Sequence, residues 1–268
     1  MTVGFRVLGA GIASSIQDRG RVGFAHLGLG RSGAIDQSSA EALNRCLGNP
    51  PAAPVLETAG GIVLECAARS LVAMSGWTAP RLVLEGERLM VNAVNGRQWA
   101  YLAVAGGFTG DQILGSLSAD TMAGIAPVEL SVGAELRIGG AVDGSPSDLI
   151  APYITRSEIL LLPGPHLDRL PDDALSTLTS TEWVVENNSR VGVRLTGRAL
   201  NLPAQSASGQ SEPMIVGALQ IPPSGYPIIL GRDHPVTGGY PVAAVIDDSG
   251  ISEALGASVG SVLRFQLK

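Results

Sequence analysis

Short runs of Val, Ile and Leu recur along the chain, and turn residues interrupt them about every eight to twelve positions. The segments Gly61–Glu65, Ser70–Met74, Arg81–Leu84, Gln98–Val104 and Glu135–Ile138 each read as strands. Such spacing predicts a mainly β fold, a sandwich or a barrel. The glycine pairs Gly106–Gly107 and Gly139–Gly140 are expected at tight turns that need positive φ. Two stretches depart toward a helical period. From Asp36 to Gly48, the residues Ala40, Leu43 and Leu47 share one face. Ser38 with Glu41 predicts a capping box there, and Gly48 the stop. The run Leu167–Leu175 reads as a short helix with Pro171 in its first turn. Between the halves, Gly139–Ser147 is small, polar and turn-rich, the best candidate for a boundary. It predicts one β subdomain over residues 1–142 and a second over 148–268, each with several short strands and one helix.

Charge then narrows the chemistry. The 268 residues carry 24 acidic and 18 basic side chains, a net −6, which argues against a nucleic-acid surface. Seventeen of the basic residues are arginine, and Lys268 is the only lysine. A P-loop, a protein kinase and a Schiff-base enzyme each need a lysine in the site. Any anion held by this chain is therefore held by arginine, by backbone amides or by a partner chain. Cys46 and Cys66 lack metal-ligand or disulfide-framework spacing and are expected as buried apolar residues. Only His26, His166 and His234 are present, too scattered to predict a metal site. No signal-peptide pattern opens the sequence and no stretch approaches a membrane span, so a soluble, cytoplasmic protein is expected.

Two motifs fail on inspection. Val7–Ser14 resembles the opening of a dinucleotide-binding turn, but Ser14 replaces the third glycine and Ile16–Gly20 does not continue as a helix. Gly209-Gln-Ser211-Glu-Pro213 approaches a nucleophile elbow, yet Pro213 replaces the final glycine and Gly217–Ile221 reads as strand. Three polar, glycine-rich clusters remain. The first runs from Ser15 through Gln17, Asp18, Gly20 and Arg21 to Arg31, Ser32 and Asp36. The second is Asn188–Leu195, with Arg190 and Arg194. The third joins Gln220–Gly225 to Asp233, His234 and Thr237–Tyr240. Such loops in a charge-poor chain are the best site candidates, although an arginine in them could equally be paired to an aspartate within a barrel.

These clusters carry a family resemblance. Ser15–Arg21, Gly30–Asp36, Gly48-Asn-Pro50, Val55-Leu-Glu57, Tyr101–Gly107, Gly115–Thr121, Arg190–Leu195, Ser211-Glu212, Gly217–Pro222 and Thr237–Pro241 resemble, in order, the family of allophanate hydrolase subunit 2. This family is also known as the C-type subunit of 5-oxoprolinase, or the KipA type. The resemblance implies two tandem cyclophilin-like β-barrel subdomains with a few short helices. It implies a smaller B-type (allophanate hydrolase subunit 1-like) partner and a ring-opening A-type subunit. It implies ATP, with Mg, shared with the partner and used to activate 5-oxoproline for opening to L-glutamate. An alternative is the carboxyltransferase part of a biotin-dependent urea carboxylase system, with biotin arriving on another protein. A second is a KipA-type regulator that antagonises an inhibitor of a kinase. By family position and residue type, Asp18, Asp36, Glu212 and Asp233 are expected to orient arginines or handle protons. Arg21, Arg190 and Arg194 are expected to hold phosphate or carboxylate, and Gln220, His234, Thr237, Gly238, Gly239 and Tyr240 to contact a small amide. The family's usual Ser-Glu-Gly stands here as Ser211-Glu212-Pro213, and Pro235 replaces a glutamine common before the Thr-Gly-Gly-Tyr run.

Overall fold

A computed structural model describes residues 2–94, 96–140, 150, 158–202 and 209–268. The expected boundary positions 142 and 148 lie outside these residues. The chain forms two compact units, residues 1–23 with 31–154 and residues 24–30 with 155–268.

The first unit runs β1 (Thr2–Gly9), β2 (Ser15–Gln17), α1 (Gln37–Cys46), β3 (Val55–Thr58), β4 (Ile62–Cys66), β5 (Ser70–Met74), β6 (Arg81–Val83), β7 (Arg88–Val91), β8 (Ala100–Val104), β9 (Phe108–Thr109) and β10 (Glu135–Ile138). Two five-stranded sheets result, in the orders β7-β4-β1-β10-β9 and β2-β3-β8-β5-β6. Both line one core, in which Phe5, Leu64, Leu89 and Leu136 of the first sheet join Leu56, Val72 and Leu102 of the second. Strand alternation explains this. Along β4, β7 and β10 every second residue is buried, so the intervening charges reach solvent. On that outer face Arg6 stands opposite both Glu65 and Glu135 and pairs with each, at 3.6 and 3.3 Å.

Strand β8 is buried throughout, because α1 packs against it. Tyr101 thus points away from the shared core yet stays buried, and its hydroxyl must find partners. It donates to Glu57 Oε2 at 2.9 Å and accepts from the Asp36 amide at 2.8 Å. The amide of Ile35 donates to the same Glu57 oxygen at 2.7 Å. This tie sets where α1 begins. The helix is capped by Asp36, whose side chain accepts from the Ser39 amide at 3.0 Å, so the expected Ser38–Glu41 box is two residues late. Aspartate competes for the cap as well as serine does, and Glu41 turns instead to Arg19 and Arg45, at 2.8 and 3.2 Å. Gly48, at φ 74°, ends the helix as expected. Gly106 and Gly107 are left-handed as expected, at φ 87° and 69°, but Gly139 and Gly140 are not. Gly139 is required for another reason: a Cβ there would collide with the Gly106 carbonyl.

The second unit runs β11 (Ile159–Pro163), α2 (Ala174–Ser180), β12 (Trp183–Asn188), β13 (Gly192–Thr196), β14 (Glu212–Pro213), β15 (Ala218–Gln220), β16 (Ile228–Leu230), β17 (Thr237–Gly238), β18 (Val242–Ile246), α3 (Asp248–Gly256), β19 (Val262–Leu263) and β20 (Phe265–Leu267). Eight strands form one sheet in the order β19-β12-β13-β16-β15-β18-β11-β20. Its outermost strands are separated in sequence by Arg264 alone, so the sheet comes round to a nearly closed barrel. The remaining two strands, β14 and β17, make a short ribbon with Glu212 opposite Gly238 and Pro213 opposite Thr237. The helix expected over Leu167–Leu175 is split. Leu167–Arg169 is one 3-10 turn, Leu170 is extended before Pro171, and α2 starts only at Ala174, because the residue before proline is pushed out of the helical region. Helix α3 was not expected, since Gly250 and Gly256 weaken its pattern. It forms because Asp247 caps it and Ile251, Ala254 and Leu255 are buried on one side.

Replacing Tyr101 by Phe should cost about 1–3 kcal/mol, since it orphans the buried Asp36 amide. Alanine at Asp36 should cost about 0.5–2 kcal/mol through the lost cap. Burial first, and then Glu57 and Asp36, push the Tyr101 pKa well above its usual value. The fold therefore favours the protonated phenol. That contribution is intact below pH about 10 and falls as pH rises further, because the unfolded tyrosine ionises first. Chemical denaturation between pH 8 and 11 should show a steeper alkaline loss in the wild type than in Tyr101→Phe.

Candidate functional site

The expected site residues fall into several groups, each within one unit. In the first unit, Asp18 occupies the bend after β2 and is fully engaged. Its Oδ1 accepts from the Gly20 amide at 2.7 Å, the Ser116 hydroxyl at 2.7 Å and the Ser118 hydroxyl at 2.6 Å. Its Oδ2 accepts from the Leu117 amide at 2.7 Å. This carboxylate stitches residues 18–20 to 116–118, so it is spent as a structural anchor. Arg21 is 2% exposed, and its Nη2 donates to the Ser118 carbonyl. Its Nε and Nη1 have no hydrogen-bond partner among the described residues, nor does the buried Ser32 hydroxyl. Asp36 lies apart from this loop at the start of α1. It accepts from Ser38, Ser39 and Arg97, so the arginine it holds is Arg97 and not one of the expected three.

In the second unit, Arg190 and Asp233 form a buried bidentate pair, Nε to Oδ2 at 2.8 Å and Nη2 to Oδ1 at 2.9 Å, with 3% and 0% exposure. The Asp233 amide also donates to the Arg190 carbonyl at 2.9 Å. Asp233 thus holds Arg190, and the fork expected to hold an anion is turned on Asp233. Two well-aligned charge-assisted bonds offset the desolvation of both groups. Next to it, His234 Nδ1 donates to the Pro235 carbonyl at 2.7 Å, which places the ring proton on Nδ1. Arg194 faces outward from β13 and is exposed, so it does not join this pair.

The ribbon β14–β17 gathers the others. Glu212, Gln220, Thr237, Gly238 and Gly239 converge here, with the exposed Tyr240 next along the chain. Gln220 Nε2 donates to Met214 Sδ at 3.2 Å, and a Cβ on Gly238 would stand 2.7 Å from that nitrogen. A side chain at position 238 would have to push the Gln220 amide aside. Two residues that sequence reasoning passed over complete the cluster, both from the loop after β11. Arg169 Nη2 donates to the Gly239 carbonyl at 3.1 Å. His166 Nδ1 accepts from the Val242 amide at 3.0 Å, so the ring proton sits on Nε2, which donates to Glu212 Oε2 at 3.1 Å. A carboxylate held by an imidazole N–H, half open to solvent and beside an amide and backbone glycines, is suited to proton transfer with a small polar substrate. His166 was open to discovery as one of only three histidines. Its partner, 46 positions away, was not, because the link depends on the pairing of β14 with β17. Among the described residues no group of His, Cys, Asp or Glu could hold a metal ion. Among them, too, no helix is long and apolar enough to cross a membrane.

Comparison with known proteins agrees with this architecture. The model of the carboxyltransferase domain, subdomain A and B, matches residues 27–267. The chain is 29% identical to the C-type subunit of 5-oxoprolinase from Escherichia coli strain K12, over 97% of this chain and 90% of that protein. It is 31% identical to the same 5-oxoprolinase component of Haemophilus influenzae, over 94% and 87%. The crystal structure of TTHA0988 superposes with a TM-score of 0.87 at 31% identity, covering 98% of this chain and 56% of that one. The chain thus spans little more than half of that relative. The urea amidolyase of K. lactis gives a TM-score of 0.87 at 25% identity, with 98% of this chain on 18% of that one. With nearly the whole length matched, this chain belongs to the carboxyltransferase domain family, subdomains A and B.

Proposed function

We propose that this chain is the C-type subunit of an ATP-dependent 5-oxoprolinase, helping to activate 5-oxoproline for ring opening to L-glutamate. The observation that carries this reading is the end-to-end correspondence with the C-type subunits of two 5-oxoprolinases, about nine-tenths of whose length this chain spans. In the urea amidolyase the similar region is under a fifth of a much longer chain. The reading makes the chain one part of a hydrolase complex, working with a smaller B-type chain and a ring-opening A-type protein. Nucleotide contacts are shared with the partner. The chain's own contribution is the ribbon of the second unit. Glu212, aimed by His166, moves a proton at the lactam, while Gln220 and the glycines Gly238 and Gly239 line the wall that receives it. The second reading, a carboxyltransferase component fed by biotin on another protein, is favoured by the family's description and by the urea amidolyase superposition.

Co-expression with the two other subunits, followed by measurement of ATP turnover, separates these readings. Turnover that depends on 5-oxoproline supports the first. Carboxyl transfer to urea that depends on a biotinylated carrier, with no response to 5-oxoproline, replaces it with the second. Within the complex, Glu212→Gln should lower 5-oxoproline-dependent turnover on the order of 10²-fold and leave the melting temperature of the isolated chain unchanged, because the side chain is half exposed. Arg190→Lys should behave oppositely. Losing the two-point grip on buried Asp233 should cost the isolated chain on the order of 2–3 kcal/mol. An unchanged melting temperature in that variant would mean that Arg190 serves substrate and not the fold.

A further inference from the structure

Of the arginines expected to hold an anion in the second unit, Arg190 has its fork closed on Asp233, and Arg194 is exposed on β13. The ribbon β14–β17 nevertheless has an arginine beside it. Arg169, from the loop after β11, is half-buried and shares a turn with His166, its amide donating to the His166 carbonyl at 3.1 Å. Its Nη2 donates to the Gly239 carbonyl at 3.1 Å, and the Gly209 amide donates to that same oxygen at 2.8 Å. A Cβ on Gly209 would stand 2.6 Å from Nη2, 2.8 Å from Cζ and 2.8 Å from Nη1. Near-equal distances to three atoms of one plane mean that the guanidinium lies face-on against Gly209. Its N–H donors point outward within that plane, so this contact does not cover them.

Gly209 thus seats a planar cation, and the bond to Gly239 fixes its orientation. The seat adjoins the ribbon's polar groups. Gly239 follows Gly238, which pairs with Glu212 and lies against the Gln220 amide, and His166 holds Glu212 at 3.1 Å. Among the described residues, the bond to Gly239 is the one that the guanidinium makes, and no carboxylate pairs with it, Glu212 included. Arg190, Arg198 and Arg264 of the same unit, by contrast, each face an acid. A guanidinium fixed in place with donors to spare is suited to a carboxylate, which it can grip by two parallel N–H···O bonds. We propose that Arg169 binds the carboxylate of 5-oxoproline and so selects lactams that carry one, while the ring amide lies at Glu212 and Gln220. This rests on the 5-oxoprolinase reading and sharpens it, since urea has an amide but no carboxylate for such an arginine to hold.

The test is steady-state ATP turnover by the co-expressed complex with 5-oxoproline, for the wild type, Arg169→Gln, Arg169→Lys and Gly209→Ala. Arg169→Gln should raise KM for 5-oxoproline on the order of 10- to 100-fold and keep kcat within about three-fold, because the carboxylate is bound alike in ground and transition states. Arg169→Lys, which keeps the charge but not the fork, should recover part of that loss. Gly209→Ala should raise KM as well, because its Cβ takes the guanidinium's seat. The atoms it displaces end a flexible side chain, so the fold bears little of the cost. Turnover of 2-pyrrolidinone, the same lactam without a carboxylate, should be no lower in Arg169→Gln than in the wild type. A strap that merely held Gly239 would behave differently, with kcat falling for both lactams and the melting temperature dropping. An unchanged KM in Arg169→Gln, or in Gly209→Ala should the first variant fail to fold, would overturn the proposal and leave the 5-oxoprolinase reading intact. A wild-type complex that does not respond to 5-oxoproline removes that reading, and this proposal with it.

Discussion

A carboxylate or guanidinium taken out of water must be given hydrogen bonds inside the protein, and that requirement organises both units. In the first, Asp18 is satisfied only if residues 116–118 fold back over the bend after β2. Glu57 and Tyr101 are satisfied only if α1 starts where Ile35 and Asp36 can present their amides. In the second, Asp233 and Arg190 complete one another across 43 positions of sequence. The hydrophobic cores set the sheets, but these polar ties set which loop lies on which, and so where the remaining polar groups are left for chemistry.

The same constraint sorts the candidate residues. Asp18, Asp36, Arg190 and Asp233 are buried or enclosed, with their hydrogen-bonding capacity turned inward. Glu212 is different. It is half exposed on a two-stranded ribbon, and among the described residues an imidazole N–H holds it. Pro213, a departure from the family's usual glycine, sits opposite Thr237 on that ribbon. A proline is tolerated there because a ribbon of two strands leaves one side of each strand unpaired. The departure therefore leaves the pairing of Glu212 with Gly238 in place. Arg21 differs in the other direction, buried with Nε and Nη1 unbonded among the described residues.

Much of the local structure was open to reading because it rests on neighbours in sequence. The strands Ser70–Met74 and Glu135–Ile138 match expectation, since short apolar runs between turn residues mark strands without any distant partner. The stop of α1 at Gly48 matches as well. The errors arose where two local signals competed. Asp36 and Ser38 both suit a helix cap, and only the Tyr101 hydroxyl, arriving from β8, selects Asp36. Gly139 looked like a turn residue because glycine freedom and glycine slimness are indistinguishable in sequence, and its role is to let the Gly106 carbonyl approach.

By itself, the sequence determined a mainly β chain, the absence of lysine chemistry, and the glycine-rich clusters in which polar groups would be concentrated. These depend on composition and on short-range period, which need no partner segment. Only the tertiary structure decided which of those polar groups face each other. It turned the Arg190 fork onto Asp233, brought His166 to Glu212, and, among the described residues, left two guanidinium nitrogens of Arg21 unbonded. The physical reason is that hydrogen bonds are short and directional. Whether a charge is satisfied or free for a ligand depends on ångström-scale placement of segments that strand pairing brings together from far apart in the chain.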